Sequence, residues 1–187
     1  KKMALKGIKF IRECTVYNSV IDSISDCDLV LATLGRTQYN KEYEHVSLEN
    51  ISKWIRNFKK IKNLAILFGR EDRGLTNSEL LMAHKVFTIN THKNYPSLNL
   101  SHAVSIVLYE LSKITTDNRN IKKKELDFAT SKQIEDSFLD IEKLLLKTGY
   151  VLPHTLSTKI SKFKKYIHRS ETSKHELDML RGIVQQI

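Results

Sequence analysis

Three segments of this sequence could do chemistry. One of them has four charged residues between two glycines, Gly69-Arg-Glu-Asp-Arg-Gly74. The segment follows an apolar run at residues 64–68 and precedes Thr76 and Glu79, which have the spacing of a helix capping box. Glycines at the carboxyl end of a strand let a ligand approach the backbone, and open α/β sheets bind ligands at such ends. The pattern therefore predicts a ligand-binding loop, with a solvated charged turn as the alternative.

A second such segment, Pro96-Ser-Leu-Asn-Leu-Ser-His-Ala103, joins a candidate strand at residues 86–90 to an apolar helix. Asn99 or Ser101 could be only the N-cap of that helix. The same residues could also hold a ligand through side-chain and backbone groups at a helix start. His102 fits a packed surface histidine better than a catalyst, because nothing beside it suggests a partner.

A third segment, Thr33-Leu-Gly-Arg36, closes the apolar run at residues 29–33. Its glycine could admit a ligand or simply begin a loop. An arginine just beyond a strand end suits a phosphate contact. Alternatively, Arg36 is simply a solvated side chain, which fits the sequence equally well.

Several common kinds of site are missing from the sequence. It has no Gly-x-Ser-x-Gly elbow of a serine hydrolase, no His-Glu-x-x-His and no Walker A loop. The two cysteines, Cys14 and Cys27, lack the close spacing of a zinc site or a disulfide framework. We therefore expect no metal, and reduced thiols in a cytoplasmic protein.

The elements that position these segments alternate between strands and helices. The apolar runs at residues 29–33, 64–68 and 86–90 are typical of buried parallel strands. Residues 47–58 and 100–114 carry apolar side chains at helical spacing. The fold class that this order predicts is α/β, with a parallel sheet flanked by helices.

The pattern changes after residue 114, which suggests three parts. Residues 1–114 form the α/β domain, the polar and cationic residues 115–127 form a linker, and residues 128–187 form a small helical module. In the module, Gly149 and Pro153 are expected to stop the first helix, a second begins near Ser157, and a third follows the capping box at Ser173 and Glu176.

The net charge of +10 predicts a polyanionic partner, because contacts to nucleic-acid phosphates release counterions and dominate affinity. A generally lysine-rich composition is the alternative. No apolar run approaches the roughly 18 residues of a membrane span, and no signal peptide is evident.

Taken together, the three segments resemble signature motifs of the SpoU family of RNA 2′-O-methyltransferases. Residues 67–80 (Leu-Phe-Gly-Arg-Glu-Asp-Arg-Gly-Leu-Thr-Asn-Ser-Glu-Leu) and 97–104 (Ser-Leu-Asn-Leu-Ser-His-Ala-Val) are similar to its second and third motifs. Residues 33–36 and the helical tail resemble the TrmJ-like branch, so the resemblance covers essentially the whole chain.

The resemblance implies a sheet with a C-terminal trefoil knot (the SPOUT fold) and a homodimer. It also implies a site for S-adenosyl-L-methionine, with S-adenosylhomocysteine as product, and a tRNA substrate methylated in the anticodon loop. Carried over by motif, the donor-binding residues are Thr33, Leu34, Gly35, Gly69, Ile89, Pro96, Ser97 and Leu98. Glu71, Ser97 and Asn99 match the polar residues placed around the reacting ribose, and these three are the catalytic candidates.

Five basic residues are our candidates for contacts to RNA phosphates. Arg36 and Arg70 are expected near the reacting nucleotide, while Lys162, Lys164 and Lys165 in the helical module are expected to grip the body of the tRNA. A solvated helix face is the alternative for the lysines.

The first motif of the family, which supplies an arginine to activate the ribose hydroxyl, does not occur in this sequence. About 45 residues of the family pattern are missing, or one or two strand–helix units. We expect them to precede Lys1 in the full protein, with a truncated paralogue as the alternative. Methylation of ribosomal RNA and an inactive RNA-binding protein also remain as alternatives for the function.

Overall fold

The computed structural model describes residues 7–35, 45–58, 61–92, 94, 97–116 and 127–187. Within these ranges the chain builds a four-stranded parallel sheet, helices on both of its faces, and three further helices at the C-terminus. None of the helices in the same ranges has the length and apolar character needed to cross a membrane.

The sheet consists of β1 (Leu29–Thr33), β2 (His45–Ser47), β3 (Leu64–Leu67) and β4 (Lys85–Thr88), in the order β2-β4-β1-β3. All pairs are parallel, and Leu31 of β1 lies opposite Ile66 of β3 and Lys85 of β4. The strands predicted from the three apolar runs are confirmed to within a residue or two. The sequence did not predict β2, because three residues are too few to show an alternating pattern.

The central strand β1 is buried on both faces, which explains its unbroken apolar sequence. On one face, Leu29 and Leu31 pack against α3 (Leu48–Ile55) and α5 (Leu100–Thr116). On the other, Val30 and Ala32 pack with α2 (Val20–Ile24) and α4 (Asn77–Leu80). The first helix, α1 (Ile8–Glu13), buries no residue. The α/β layer structure predicted from the sequence is confirmed, while the trefoil knot stays a prediction.

Three helices form the C-terminal module: α6 (Ser131–Lys147), α7 (Pro153–Arg169) and α8 (Lys174–Gln186). They share a core that includes Phe138 and Leu177. The second helix begins before the expected Ser157, because Pro153 occupies the first helical position of α7. Proline is tolerated there since the first turn has no use for its missing N–H. The proposed domain boundaries stay predictions, and most of the linker lies outside the described residues.

The module packs against the end of the sheet where the strands begin. The Phe128 ring lies 4.9 Å from the Phe58 ring and 6.1 Å from the His84 ring, measured between centroids. Phe58 precedes β3, and His84 directly precedes β4. The indole Nε1–H of Trp54 also donates a 2.8 Å hydrogen bond to Glu171 Oε1. The module is therefore fixed at the amino ends of the parallel strands.

Candidate functional site

A pocket of about 380 Å³ opens at the opposite end of the sheet, beyond the carboxyl ends of β1, β3 and β4. Seven of the eight residues that the motif resemblance places around the methyl donor line it: Thr33, Leu34, Gly35, Gly69, Ile89, Ser97 and Leu98. The eighth, Pro96, lies outside the described residues. Three loops that are far apart in the sequence thus meet at one cavity, because parallel strands bring their carboxyl ends to the same edge.

The loop after β1, which contains Thr33 and Leu34, is held by both neighbouring strands. The Thr33 hydroxyl donates to the Leu67 carbonyl at 3.1 Å, and the Leu34 N–H donates to the Phe87 carbonyl at 2.9 Å. These bonds fix the end of β1 relative to β3 and β4, so the pocket wall is tied into the sheet.

The charged loop after β3, from Gly69 to Gly74, closes on itself. The Gly74 N–H donates to the Arg70 carbonyl at 2.8 Å, and Gly74 adopts a φ of +70° that disfavours side chains. A Cβ atom on Gly69 would lie 2.3 Å from the Gly74 carbonyl carbon. Gly69 is thus required by the turn of the loop, and not only by the approach of a ligand as the sequence suggested.

An ion pair lies at the tip of this loop. The guanidinium of Arg70 donates from Nε and Nη2 to the two carboxylate oxygens of Asp72, each at 2.9 Å. The pairing lowers the pKa of Asp72 and raises that of Arg70. Both side chains are exposed, so the pair contributes little to stability. Arg70 is nevertheless placed at the pocket, as expected for a residue near the reacting nucleotide.

Glu71 connects the charged loop after β3 to the segment that begins α5. Its Oε1 accepts a 3.3 Å hydrogen bond from Asn99 Nδ2 and a 3.4 Å bond from the Leu100 N–H at the start of α5. Asn99 Oδ1 accepts from the Ser101 N–H at 2.9 Å, as an N-cap residue does. The two readings of Asn99 from the sequence are therefore compatible: it caps α5 and also directs its amide at Glu71.

The remaining sequence candidates are divided between the pocket and the module. Ser97 lines the pocket, whereas Arg36 lies outside the described residues. Lys162 is exposed on α7, and Lys165 is half-buried. Lys164 differs from both, since its ammonium bonds Glu135 of α6 at 2.6 Å and lies 5.3 Å from the Phe138 ring centroid. Lys164 thus helps to hold α6 against α7, and its expected contact to RNA stays a prediction, as it does for Lys162 and Lys165.

Three further residues that line the pocket were not among the named site candidates: Thr91, which lies outside the three segments, and Leu100 and Ala103, which lie within one of them. Thr91 follows β4 in the same way as Gly69 follows β3, so its position after a strand was a usable signal. Leu100 and Ala103 read as core residues of α5. Their first turn faces the cavity, which periodicity alone cannot reveal.

The pocket offers groups for a polar organic ligand. No group of three or more metal-ligating side chains occurs in the part of the chain that the structure describes. The lining combines apolar side chains with backbone groups and the carboxylate of Glu71, as cofactor sites commonly do at this size. Cys27 is no nucleophile here, because burial and the neighbouring Asp26 raise its pKa to about 11.

Known proteins are similar to this chain in sequence and in fold. The chain is 30% identical to an uncharacterized tRNA/rRNA methyltransferase of Haemophilus influenzae over 181 residues, which cover 95% of this chain and 73% of that protein. It is 28% identical to the tRNA (cytidine/uridine-2′-O-)-methyltransferase TrmJ of Pectobacterium atrosepticum, with 95% and 74% covered.

A solved structure is also similar to this chain in fold. The crystal structure of TrmJ from Z. mobilis ZM4 matches with a TM-score of 0.81 at 24% identity, over 98% of this chain and 78% of that one. This match confirms the fold class. The model of the SpoU rRNA methylase family covers residues 1–109, more than half of the sequence. The chain therefore belongs to the SpoU rRNA methylase family.

Proposed function

We propose that the protein transfers a methyl group from S-adenosyl-L-methionine to a ribose 2′-hydroxyl of tRNA, with the anticodon loop as the expected target. The observation that carries this proposal is the convergence of the three motif loops on one pocket at the carboxyl end of the sheet. The relatives named as tRNA (cytidine/uridine-2′-O-)-methyltransferases support both the substrate and the 2′-hydroxyl.

The residues around the pocket fit this donor. Its size is in the range of about 300–1,000 Å³ that small-molecule and cofactor sites occupy. Apolar side chains such as Leu34, Ile89 and Leu98 suit a flat nucleoside, and the loop backbone offers hydrogen-bonding groups. When bound, S-adenosyl-L-methionine supplies an electrophilic methyl group.

The protein side of the reaction is mainly alignment. A methyl transfer requires the acceptor oxygen to approach in line, so fixed geometry accounts for much of the rate. Glu71 and Asn99 hold each other across two loops, and Glu71 and Ser97 both line the pocket. We assign these three side chains to the ribose, where they orient the 2′-hydroxyl and accept or pass on its proton.

We further propose that the protein works as a homodimer through α5. Leu108 and Tyr109 on this helix are 55% and 67% exposed, while Val107 on the opposite side is fully buried. Leu100 and Ala103 of the same helix line the pocket. A second copy seated on the exposed side of α5 would bury these apolar side chains and place the partner next to the pocket.

A cytoplasmic location is consistent with the cysteines. Cys14 and Cys27 are both free thiols. Disulfides are rare in the cytosol, where thiols stay reduced.

Ribosomal RNA is the second candidate substrate, because the matching family model is described as an rRNA methylase family. The decisive experiment incubates the purified protein with the donor and either bulk tRNA or ribosomal RNA from cells that lack the protein. Mass spectrometry of the digested nucleosides then identifies the product. We expect a 2′-O-methylated nucleoside from tRNA only. Donor binding without any methylated product would support the inactive RNA-binding alternative.

A further inference from the structure

We propose that the exposed face of α7 binds an unpaired segment of the RNA that is distinct from the nucleotide being methylated. This inference rests on the proposed function and names a second contact to the same substrate. The face consists of Lys159, Lys162 and Tyr166 on the helix, together with Tyr150 in the turn before it. We refer to these four residues as the α7 face.

The spacing of the helical residues brings their side chains together. Lys159, Lys162 and Tyr166 are separated by three and four positions, which places them on one side of a helix. All three are exposed, whereas Ile160 and Ile167 on the other side are buried in the module core. The lysines and the tyrosine are therefore presented to the same partner.

The charge of α7 suits a polyanion. This helix contains no Asp or Glu among its 17 residues. The other two helices of the module do contain acidic residues, four in α6 and two in α8. Glu135 of α6 bonds Lys164, which does not belong to the α7 face. A phosphate chain can thus approach Lys159 and Lys162 without meeting a carboxylate of this helix.

The aromatic rings suit bases. Tyr150 and Tyr166 are 72% and 59% exposed, so both rings are accessible to a partner. The Lys159 ammonium lies 5.0 Å from the Tyr150 ring centroid and donates to the Tyr150 carbonyl at 3.4 Å. This contact holds the ring and the cation side by side. Exposed rings that alternate with cations are the usual platform for unpaired bases, which stack on the rings while the cations bind the backbone.

The position of the module separates this contact from the reaction. His84 and Phe58, which the module packs against, precede the strands, whereas the pocket follows them. A strand of five residues is about 16 Å long, so the sheet itself separates the module from the pocket of the same chain. An RNA that contacts both places must be larger than the loop that carries the target nucleotide.

The test compares two substrates of different size. One is a full-length tRNA that the protein methylates, and the other is a stem-loop with only the anticodon arm of that tRNA. Tyr166→Leu removes the ring and keeps an apolar side chain. We expect it to raise KM for the full-length tRNA about tenfold, the effect of losing one base stack, with kcat unchanged. Tyr166→Phe keeps the ring and should restore the original KM, and the stem-loop should react equally well with all variants.

Charge is tested at Lys162, with Lys143 as the matched control. Lys143 is an exposed lysine on α6, in the same module. Lys162→Gln should weaken binding of full-length tRNA and lower the slope of log affinity against log salt concentration by about one phosphate contact. Lys143→Gln should leave both unchanged. Melting temperatures of all variants show whether the fold is intact.

Three results would overturn the proposal. Unchanged KM for full-length tRNA in both Tyr166→Leu and Lys162→Gln would show that the α7 face does not touch RNA. An equal loss with the stem-loop would place the face at the reacting nucleotide. Tyr166-dependent binding of anionic phospholipid vesicles, together with unchanged tRNA binding by Tyr166→Leu, would assign the face to a membrane. If no RNA is methylated, the proposed function fails, but equilibrium tRNA binding by these variants still tests the α7 face.

Discussion

Asn99 Nδ2 lies 3.3 Å from Glu71 Oε1, and this contact joins two loops that are 28 positions apart in the chain. The oxygen of the same side-chain amide is already committed, since Asn99 Oδ1 accepts from the Ser101 N–H. The orientation of the amide is therefore fixed by the helix cap. Glu71 receives a donor because α5 begins where it does.

Asn99→Asp tests this relationship without removing the cap. Aspartate caps a helix as well as asparagine, so the bond from Ser101 should survive. It offers Glu71 a second carboxylate in place of an amide donor, and the two would repel. We expect kcat to fall by roughly tenfold or more, as for a lost hydrogen bond to a charged group, with donor affinity retained in calorimetry.

The double variant Glu71→Gln with Asn99→Asp is the control for this pair. It reverses the direction of the hydrogen bond, because the new amide can donate to the new carboxylate. The melting temperature should return to that of the original protein. A single Asn99→Asp variant with full activity would remove this contact from the catalytic arrangement.

Gly69→Ala should destabilise the charged loop and abolish binding of S-adenosylhomocysteine. The added Cβ would lie 2.3 Å from the backbone of Gly74, so the loop must shift. Gly182→Ala is the matched control, because a Cβ there meets nothing within 4 Å and the site lies inside α8. Alanine in a helix is favoured over glycine by about 1 kcal/mol, so this variant should melt at a higher temperature. Undiminished ligand binding by Gly69→Ala would contradict the tight closure of the loop.

Leu108→Lys should convert the proposed homodimer into monomers in sedimentation velocity at micromolar concentration. A charge at a buried apolar contact costs several kcal/mol, which is enough to dissociate a moderate dimer. Leu139→Lys in α6 is the matched control, since Leu139 is 54% exposed and Leu108 is 55% exposed. The control should sediment as the original protein does. Monomeric behaviour of the original protein itself would rule out the dimer.

The stability of the protein should fall as the pH is lowered from about 6.5 towards 4. His84 and His168 are buried at the docking interface, their ring centroids 5.7 Å apart, and burial lowers their pKa values to about 4 and about 3. In the unfolded chain both would take up protons near pH 6.5. The unfolded state therefore binds more protons in this window, and the free energy of unfolding decreases as the pH falls, by up to about 1.4 kcal/mol per pH unit for each histidine.

His168→Leu should make this dependence shallower by about one proton. Neither ring nitrogen of His168 has a hydrogen-bond partner within the described residues, so an apolar replacement forfeits no bond. His154→Leu, at the exposed start of the same helix, serves as the comparison. The single tryptophan, Trp54, lies in the interface and its fluorescence reports undocking. An identical pH dependence in His168→Leu and the original protein would exclude His168 as a source.

Much of this protein could be inferred from the sequence, because local patterns carry the information. Leu29 to Thr33 is buried on both faces and reads as one apolar run, and the capping boxes at Thr76 and Ser173 appear in the structure as expected. The three motif segments were assigned to one ligand through the family resemblance, and the structure brings them together because parallel strands end at a common edge.

Other features depend on contacts between residues that are distant in the sequence. Lys164 looks like Lys162 in the sequence, yet only the packing of α6 against α7 pairs it with Glu135. The reason for glycine at position 69 is the backbone of residue 74, which no local pattern displays. The module packs at the end of the sheet away from the pocket through His84 and Phe128, an arrangement set by side-chain packing across the whole fold. The sequence by itself determined the longer strands and helices and the chemistry of the loops, since both follow from short-range spacing. Only the tertiary structure decided which polar side chains are free for a partner and which hold the protein together.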